Sequence, residues 1–283
     1  MTHTPTILLT GATDGIGRQT AEELAATGAN LILHGRSQTK LDAVVSALAQ
    51  IPGHGELDTV IADLSDLDEV ERLAAEVDRE LGERGLDVLI NNAGVYANEL
   101  QTGPQGHELT WTVNYLAPFL LSHRLLPALA RAGGGRIVNV SSVAHTRGRL
   151  DWASLDPVLD PNSDYSAYAA YAQSKLALVM LTCELARRFG PPEHGNLIAV
   201  SLHPGVVSTK LLTEGFGMSG PDSLGDGAAT SIDLALRPAD RLRPDNGRYF
   251  ARKRVAPMSP TAEDHQACAR LYARTLAVVG VAK

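Results

Sequence analysis

Tyr171 and Lys175 are the residues whose types and spacing most clearly offer chemistry. They lie in residues 164–180, DYSAYAAYAQSKLALVM, an Ala-rich run whose apolar stripe continues through Leu176, Val179 and Met180. This pattern predicts a helix. Residues four apart stand one turn apart on a helix face, so the phenol and the ammonium point the same way. Such a pair suits general acid/base work. A free tyrosine titrates near ~10, and acting near neutrality asks for a drop of roughly 3 units, or about 4 kcal/mol. One cation at ~4 Å, at an effective dielectric of ~20, supplies about that much. Desolvation opposes it, so a second positive charge would help. A lone Y-x-x-x-K is also common as a polar pair on an exposed helix face, and its surroundings decide between the two.

Those surroundings begin with residues 6–10 (TILLT), a short apolar run read as a buried strand, which feeds into Gly11-Ala12-Thr13-Asp14-Gly15-Ile16-Gly17. A helical pattern follows to about Thr27. Strand, glycine-rich turn and helix form the first half of a dinucleotide-binding unit, in which the helix N-terminus offers free N–H groups to a pyrophosphate. The second strand, Asn30–His34, ends at Gly35-Arg36-Ser37. An acid there would bind a ribose hydroxyl. Arg36 instead suits a 2′-phosphate and favours NADP over NAD. Further strands are expected at 57–61, 86–90, 136–140, 196–202 and 247–250, with helices at 37–50, 66–82, around 111–119, near 227–236 and from about 261. Regular alternation of apolar strands and helices implies an α/β fold: a single-domain, doubly wound parallel sheet (a Rossmann fold) with helices on both faces. No linker divides residues 1–283; residues 1–140 form the cofactor-binding half, and 141–283 the catalytic and substrate-loop half.

Composition narrows the classes. The 283 residues are 44% hydrophobic with a net charge of −7, which argues against nucleic acid as a partner. The segment 237–254, with seven Lys/Arg, is read as a solvated face. No run of 18 apolar residues occurs, so no membrane anchor or signal peptide is expected. Cys183 and Cys268 suggest no disulfide framework, and the His and Cys residues form no metal-spaced cluster. A cytoplasmic setting is the expectation.

Taken together, TGATDGIG at 10–17, Asp63, NNAG at 91–94, Asn114, VNVSS at 138–142, YAQSK at 171–175 and HPGVVST at 203–209 resemble the short-chain dehydrogenase/reductase family, in order and across nearly the whole chain. The resemblance is strongest to its retinol dehydrogenase-like branch, which includes relatives of light-dependent protochlorophyllide reductase. VNVSSVAH, NGRYF near the C-terminus and 29 positions between Ser142 and Tyr171 support this. The membrane-bound retinol enzymes begin with an apolar anchor, which the start of this sequence does not resemble.

The resemblance implies Tyr171 as proton donor or acceptor, with Lys175 lowering its pKa and bonding the nicotinamide ribose. It implies Ser142, in preference to Ser141, as hydrogen-bond partner of the substrate oxygen, and Asn114 as holder of a water linked to Lys175. Gly11, Thr13, Asp14, Gly15, Ile16 and Gly17 would line the pyrophosphate site, and Arg36 the 2′-phosphate. Asp63 and Leu64 would take the adenine, Asn91, Ala93 and Gly94 the adenosine half, and Val207 and Thr209 the carboxamide, through a turn shaped by Pro204 and Gly205. His145 and His203 are read as structural. The leading expectation is an NADP(H)-dependent oxidoreductase interconverting a carbonyl and an alcohol, acting on an apolar or aromatic small molecule, as a homodimer or monomer. Two rivals are an enzyme of this fold reducing a C=C bond and a non-catalytic NADP-sensing regulator. The loops 95–107, 147–165 and 207–226 would set specificity.

Overall fold

The computed structural model describes residues 3–156, 165–190 and 196–281. Part of the insertion read at 147–165, residues 157–164, lies outside the described residues. The short apolar runs become β1 (Thr6–Leu9), β2 (Asn30–Gly35), β3 (Leu57–Ile61), β4 (Val88–Asn91), β5 (Arg136–Val140), β6 (Ile198–His203), β7 (Tyr249–Ala251) and β8 (Arg254–Ala256). They form one sheet in the order β3-β2-β1-β4-β5-β6-β7-β8, parallel except for β8, which runs antiparallel to β7. The chain winds outward from β1 to β3 and then returns to place β4 on the other side of β1. That reversal opens a crevice beyond the strand C-termini, where open α/β sheets take their ligands.

Helices cover both faces. α1 (Gly15–Ala25), α2 (Gln38–Leu48) and α8 (Leu224–Leu236) enclose one apolar core, which includes Leu9, Leu24, Leu33 and Leu234. α3 (Leu67–Leu81), α4 (Leu109–Trp111), α5 (Ala117–Arg124), α6 (Leu126–Arg131) and α7 (Ala167–Phe189) belong to the opposite face. After α9 (Ala239–Leu242), α10 (Pro260–Glu263) and α11 (His265–Val278) complete that face against α7. Cys183 on α7 and Cys268 on α11 are free thiols.

Three local departures from the sequence reading matter. The helix expected around Asn114 is interrupted by a π-turn, Thr112–Leu116. Pro118 has no N–H for the Asn114 carbonyl four residues back, and Ala117 donates to Thr112, five back. The helix expected near 227–236 begins earlier, because Ser223 and Asp226 form a capping box that starts α8 at Leu224. Third, β8 was not expected. Its turn uses Arg252 and Lys253 at φ of 50° and 62°, the conformation of a two-residue hairpin turn that glycine and asparagine usually signal. The basic stretch 237–254 is thereby spread over a helix, a turn and two strands, with Arg237 paired to Asp233 and lying over the Phe250 ring.

Candidate active site

A cleft of about 780 Å³ runs along the C-terminal edge of the sheet at this switch point. At one end stand Arg36 and Asp63, in its middle Gly11 to Gly17, and at the other end Ser142, Tyr171 and Lys175. The strand-to-helix turn after β1 is close-packed: a Cβ on Gly17 would lie 2.1 Å from the Gly11 carbonyl oxygen. Thr13, Asp14, Gly15 and Ile16 line the same wall. Leu64, Ala93 and Gly94 line the cleft too, as do Pro204, Gly205, Val207 and Thr209 after β6. The space left by Gly35 is filled by the Thr13 methyl, which a Cβ there would meet at 2.6 Å. The continuous cleft, the backbone approach at Gly17 and the N-terminus of α1 facing it fit a dinucleotide.

At the adenosine end, Arg36 is largely exposed and 4.0 Å from the nearer Asp63 oxygen. The other Asp63 oxygen accepts from the Ser65 N–H and hydroxyl at 2.9 and 2.8 Å. Asn91 does not line the cleft. As the last residue of β4 its side chain turns under the sheet and donates to Asn139 at 2.8 Å. Asn92 lines it instead, its amide donating to the Thr10 carbonyl at 2.9 Å. Successive side chains of a strand face opposite ways, so NNAG presents its second asparagine rather than its first.

Helix α7 carries Tyr171 and Lys175 on one buried face. Ser166 caps the helix by accepting the Ala169 N–H. Lys175 Nζ donates to the Val140 carbonyl at 3.0 Å and sits 5.6 Å from the centre of the Tyr171 ring. Among this chain's own groups it is burial and Ser142, not the lysine, that set the tyrosine. Burial pushes the Tyr171 phenol up to about 12, with partial relief from a hydrogen bond to Ser142. Burial likewise pulls Lys175 down to about 8. Both groups have left water, and that loss outweighs their mutual field.

The two serines after β5 separate by role. Ser141 is buried and its hydroxyl donates to the Lys175 backbone carbonyl at 2.9 Å, fixing β5 to α7. Ser142 caps a 3₁₀ turn, Val143–Arg147, and accepts the Ala144 N–H at 3.2 Å, which leaves its own proton to donate into the cleft. Asn114 is fully buried in the π-turn. Its Oδ1 accepts the Val95 N–H at 2.8 Å, and its Nδ2 donates to the Val95 carbonyl at 3.0 Å and to Ser174 at 3.1 Å. A Cβ on Gly94 would lie 3.3 Å from both Asn114 Oδ1 and Lys175 Nζ, so the two atoms flank one small space.

His145 is structural: Nδ1 donates to the Ser142 carbonyl at 2.7 Å while Nε2 accepts the Ser259 N–H at 3.2 Å. His203 lines the cleft with a buried Nδ1 that has no hydrogen-bond partner among the described residues, and burial lowers its pKa. Two positioning residues escaped the sequence reading. His34 Nδ1 accepts the Gly11 N–H at 3.2 Å, so its Nε2–H donates to the Ala62 carbonyl at 3.0 Å and ties the glycine turn to two strand ends. Asp222 accepts the Val206 N–H at 2.7 Å and braces the Pro204-Gly205 turn. His34, the next-to-last residue of β2, and Asp222 belong to none of the motifs read from the sequence.

Over the catalytic end lies a cluster of rings. The Phe216 centroid is 4.1 Å from Tyr96 and 5.2 Å from Tyr171, edge-on to the latter. Tyr168 meets Phe216 at 6.3 Å.

These residues, brought together in this order on a doubly wound sheet, match what comparison with known proteins shows. The short chain dehydrogenase family profile matches residues 5–154. The chain belongs to that family. It is 36% identical to human (Homo sapiens) retinol dehydrogenase 13 over 289 residues, covering 98% of this chain and 85% of the relative, and so falls in the retinol dehydrogenase-like branch. It is also 36% identical over 287 residues to DnrU of Streptomyces sp. (strain C5), named as a candidate daunorubicin C-13 ketoreductase, covering 97% of this chain and 92% of that one. Among solved structures, a candidate short chain dehydrogenase of Escherichia coli CFT073 complexed with NADPH matches at a TM-score of 0.70 and 27% identity, over 88% of this chain and 97% of that one. Among the described residues no helix is long and apolar enough to cross a membrane, and no group of His, Cys, Asp and Glu is arranged to hold a metal.

Proposed function

We propose that this short-chain oxidoreductase is NADP(H)-dependent and interconverts a carbonyl and an alcohol on an apolar, ring-bearing substrate, with Tyr171 as acid/base. The observation that carries the reading is the convergence of Ser142, Tyr171 and Lys175 at one end of a cleft whose other end is Arg36. Bound nicotinamide supplies or accepts the hydride at the carbonyl carbon. In reduction Tyr171 Oη gives its proton to the substrate oxygen, which the Ser142 hydroxyl holds by a hydrogen bond as charge develops. Lys175, cationic below about 8, steadies the phenolate left behind and reaches the ribose. Asn114, beside the same space over Gly94, holds the water that links Lys175 to solvent. Reversing the proton's path gives alcohol oxidation.

The 2′-phosphate assignment rests on Arg36, largely exposed just beyond the end of β2 and 4.0 Å from Asp63, and is supported by the NADPH complex of a structural relative. The substrate class rests on the rings of Tyr96, Phe216 and Tyr168, and on Leu211, Leu212 and Met218 lining the same end. The ketoreductase name of a relative agrees with it. The experiment is NADPH consumption over a panel of aldehydes, ketones, quinones and enones. Turnover of aromatic ketones or aldehydes is expected. Turnover of enones alone would replace this reading by C=C reduction, and nucleotide binding without turnover of any class would favour a non-catalytic sensor.

A further inference from the structure

Lys210 has none of the roles above, yet it lines the cofactor cleft and forms an ion pair with Asp14. It follows Thr209 in the loop after β6, whereas Asp14 caps α1, so the pair joins the two walls of the cleft. Beside it the walls nearly touch: a Cβ on Gly15 would lie 3.1 Å from the Thr209 methyl. One Asp14 oxygen accepts the Gly15 N–H at 2.8 Å and the other holds the Lys210 ammonium. A carboxylate is therefore seated on the helix end, with its N–H groups and positive dipole, that suits a pyrophosphate. Two anions in that place repel. The ion pair is also loosely held, with side chains 55% and 65% exposed, and exposed pairs are weak beside a charge-assisted bond to phosphate. When Lys210 leaves, Lys40 still offers Asp14 a favourable field.

We propose that Lys210 is a phosphate-binding residue, held by Asp14 and drawn off it to the cofactor's pyrophosphate when the nucleotide binds. The proposal rests on the nicotinamide-nucleotide reading above. Asp14 is then a competitor for Lys210 rather than a cofactor ligand.

The test is fluorescence titration of wild type, Lys210→Met and Asp14→Asn with NADPH and with NADH, at low and high salt. Thermal unfolding of the cofactor-free proteins shows that each variant is folded. Lys210→Met is expected to weaken both nucleotides by about tenfold, a difference that shrinks in high salt. Asp14→Asn is expected to tighten both severalfold, because Lys210 no longer has to be drawn off its partner. Wild-type affinity in folded Lys210→Met overturns the proposal. So does weaker binding in Asp14→Asn, which would make the pair a strap that stays closed over the cofactor. A loss confined to NADPH would place Lys210 on the 2′-phosphate and overturn the pyrophosphate assignment. Wild-type protein that binds neither nucleotide would instead bring down the functional reading on which the proposal stands.

Discussion

Lys175 donates its ammonium to the Val140 carbonyl and lies 5.6 Å from the centre of the Tyr171 ring. The lysine is thus held by the end of the strand that carries Ser142, and its charge is aimed at the phenol from a fixed point. Burial sets the two groups apart: Tyr171 stays protonated until about 12, while Lys175 loses its proton near 8. In the reductive direction the tyrosine therefore holds a proton at every working pH. Carbonyl reduction is expected to be level below about 8 and to fall above it as the lysine charge is lost. Lys175→Met should remove that alkaline limb and weaken NADPH, since the ribose contact goes too. Tyr171→Phe should leave NADPH affinity unchanged and lower turnover by ~10²–10⁴-fold. Rates against pH, beside NADPH titrations, check all three; a Tyr171→Phe protein with wild-type turnover would remove the centre of the mechanism.

Ser141 and Ser142 give a contrast within one dipeptide. Ser142→Ala is expected to lower turnover sharply with cofactor affinity intact, at no more than the modest stability cost of losing the cap on the Ala144 N–H. Ser141→Ala breaks the 2.9 Å bond to the Lys175 carbonyl. It should cost about 1 kcal/mol of stability, a melting shift of roughly 2–4 °C in a chain of this size, with a smaller effect on turnover. The reverse pattern would exchange the two serines' roles.

What could be read from the sequence was what the backbone dictates locally. The glycines of the first turn, the one-turn spacing of Tyr171 and Lys175, and the apolar strands each carry their geometry in a few neighbouring residues. The doubly wound sheet followed from their alternation. What could not be read depends on contacts between distant segments. His34 reaches Gly11 and Ala62, Asp222 reaches Val206, and Phe216 closes over Tyr171. Asn91 and Asn92 show the limit within one motif: which of them faces the cleft depends on the strand's register against its neighbours. The β8 turn was hidden because Arg252 and Lys253 adopt a conformation their side chains do not advertise.

Arg36 tests cofactor choice. Its side chain is 69% exposed and 4.0 Å from Asp63. Arg36→Leu should weaken NADPH by roughly ten- to a hundredfold, the equivalent of one charge-assisted bond, and leave NADH nearly unchanged. Equal losses for both nucleotides would move Arg36 off the 2′-phosphate.

His34 predicts how the fold responds to acid. It is buried, with both ring nitrogens engaged, and burial pulls its pKa from 6.5 down to about 4. A protonated ring could no longer accept the Gly11 N–H, so the native state resists the proton that the unfolded chain takes up. The contribution is therefore fully present above 6.5 and is lost as pH falls towards 4. A shift of this size corresponds to about 3 kcal/mol. His34→Asn keeps a side-chain oxygen where Nδ1 accepts, but has no group that titrates. Denaturant unfolding at several values between pH 7.5 and 4 should show wild type losing stability faster than the variant, so that the gap between them narrows or reverses in acid. Parallel curves would mean that His34 does not carry the acid sensitivity, leaving it to His123, which burial also holds down to about 4.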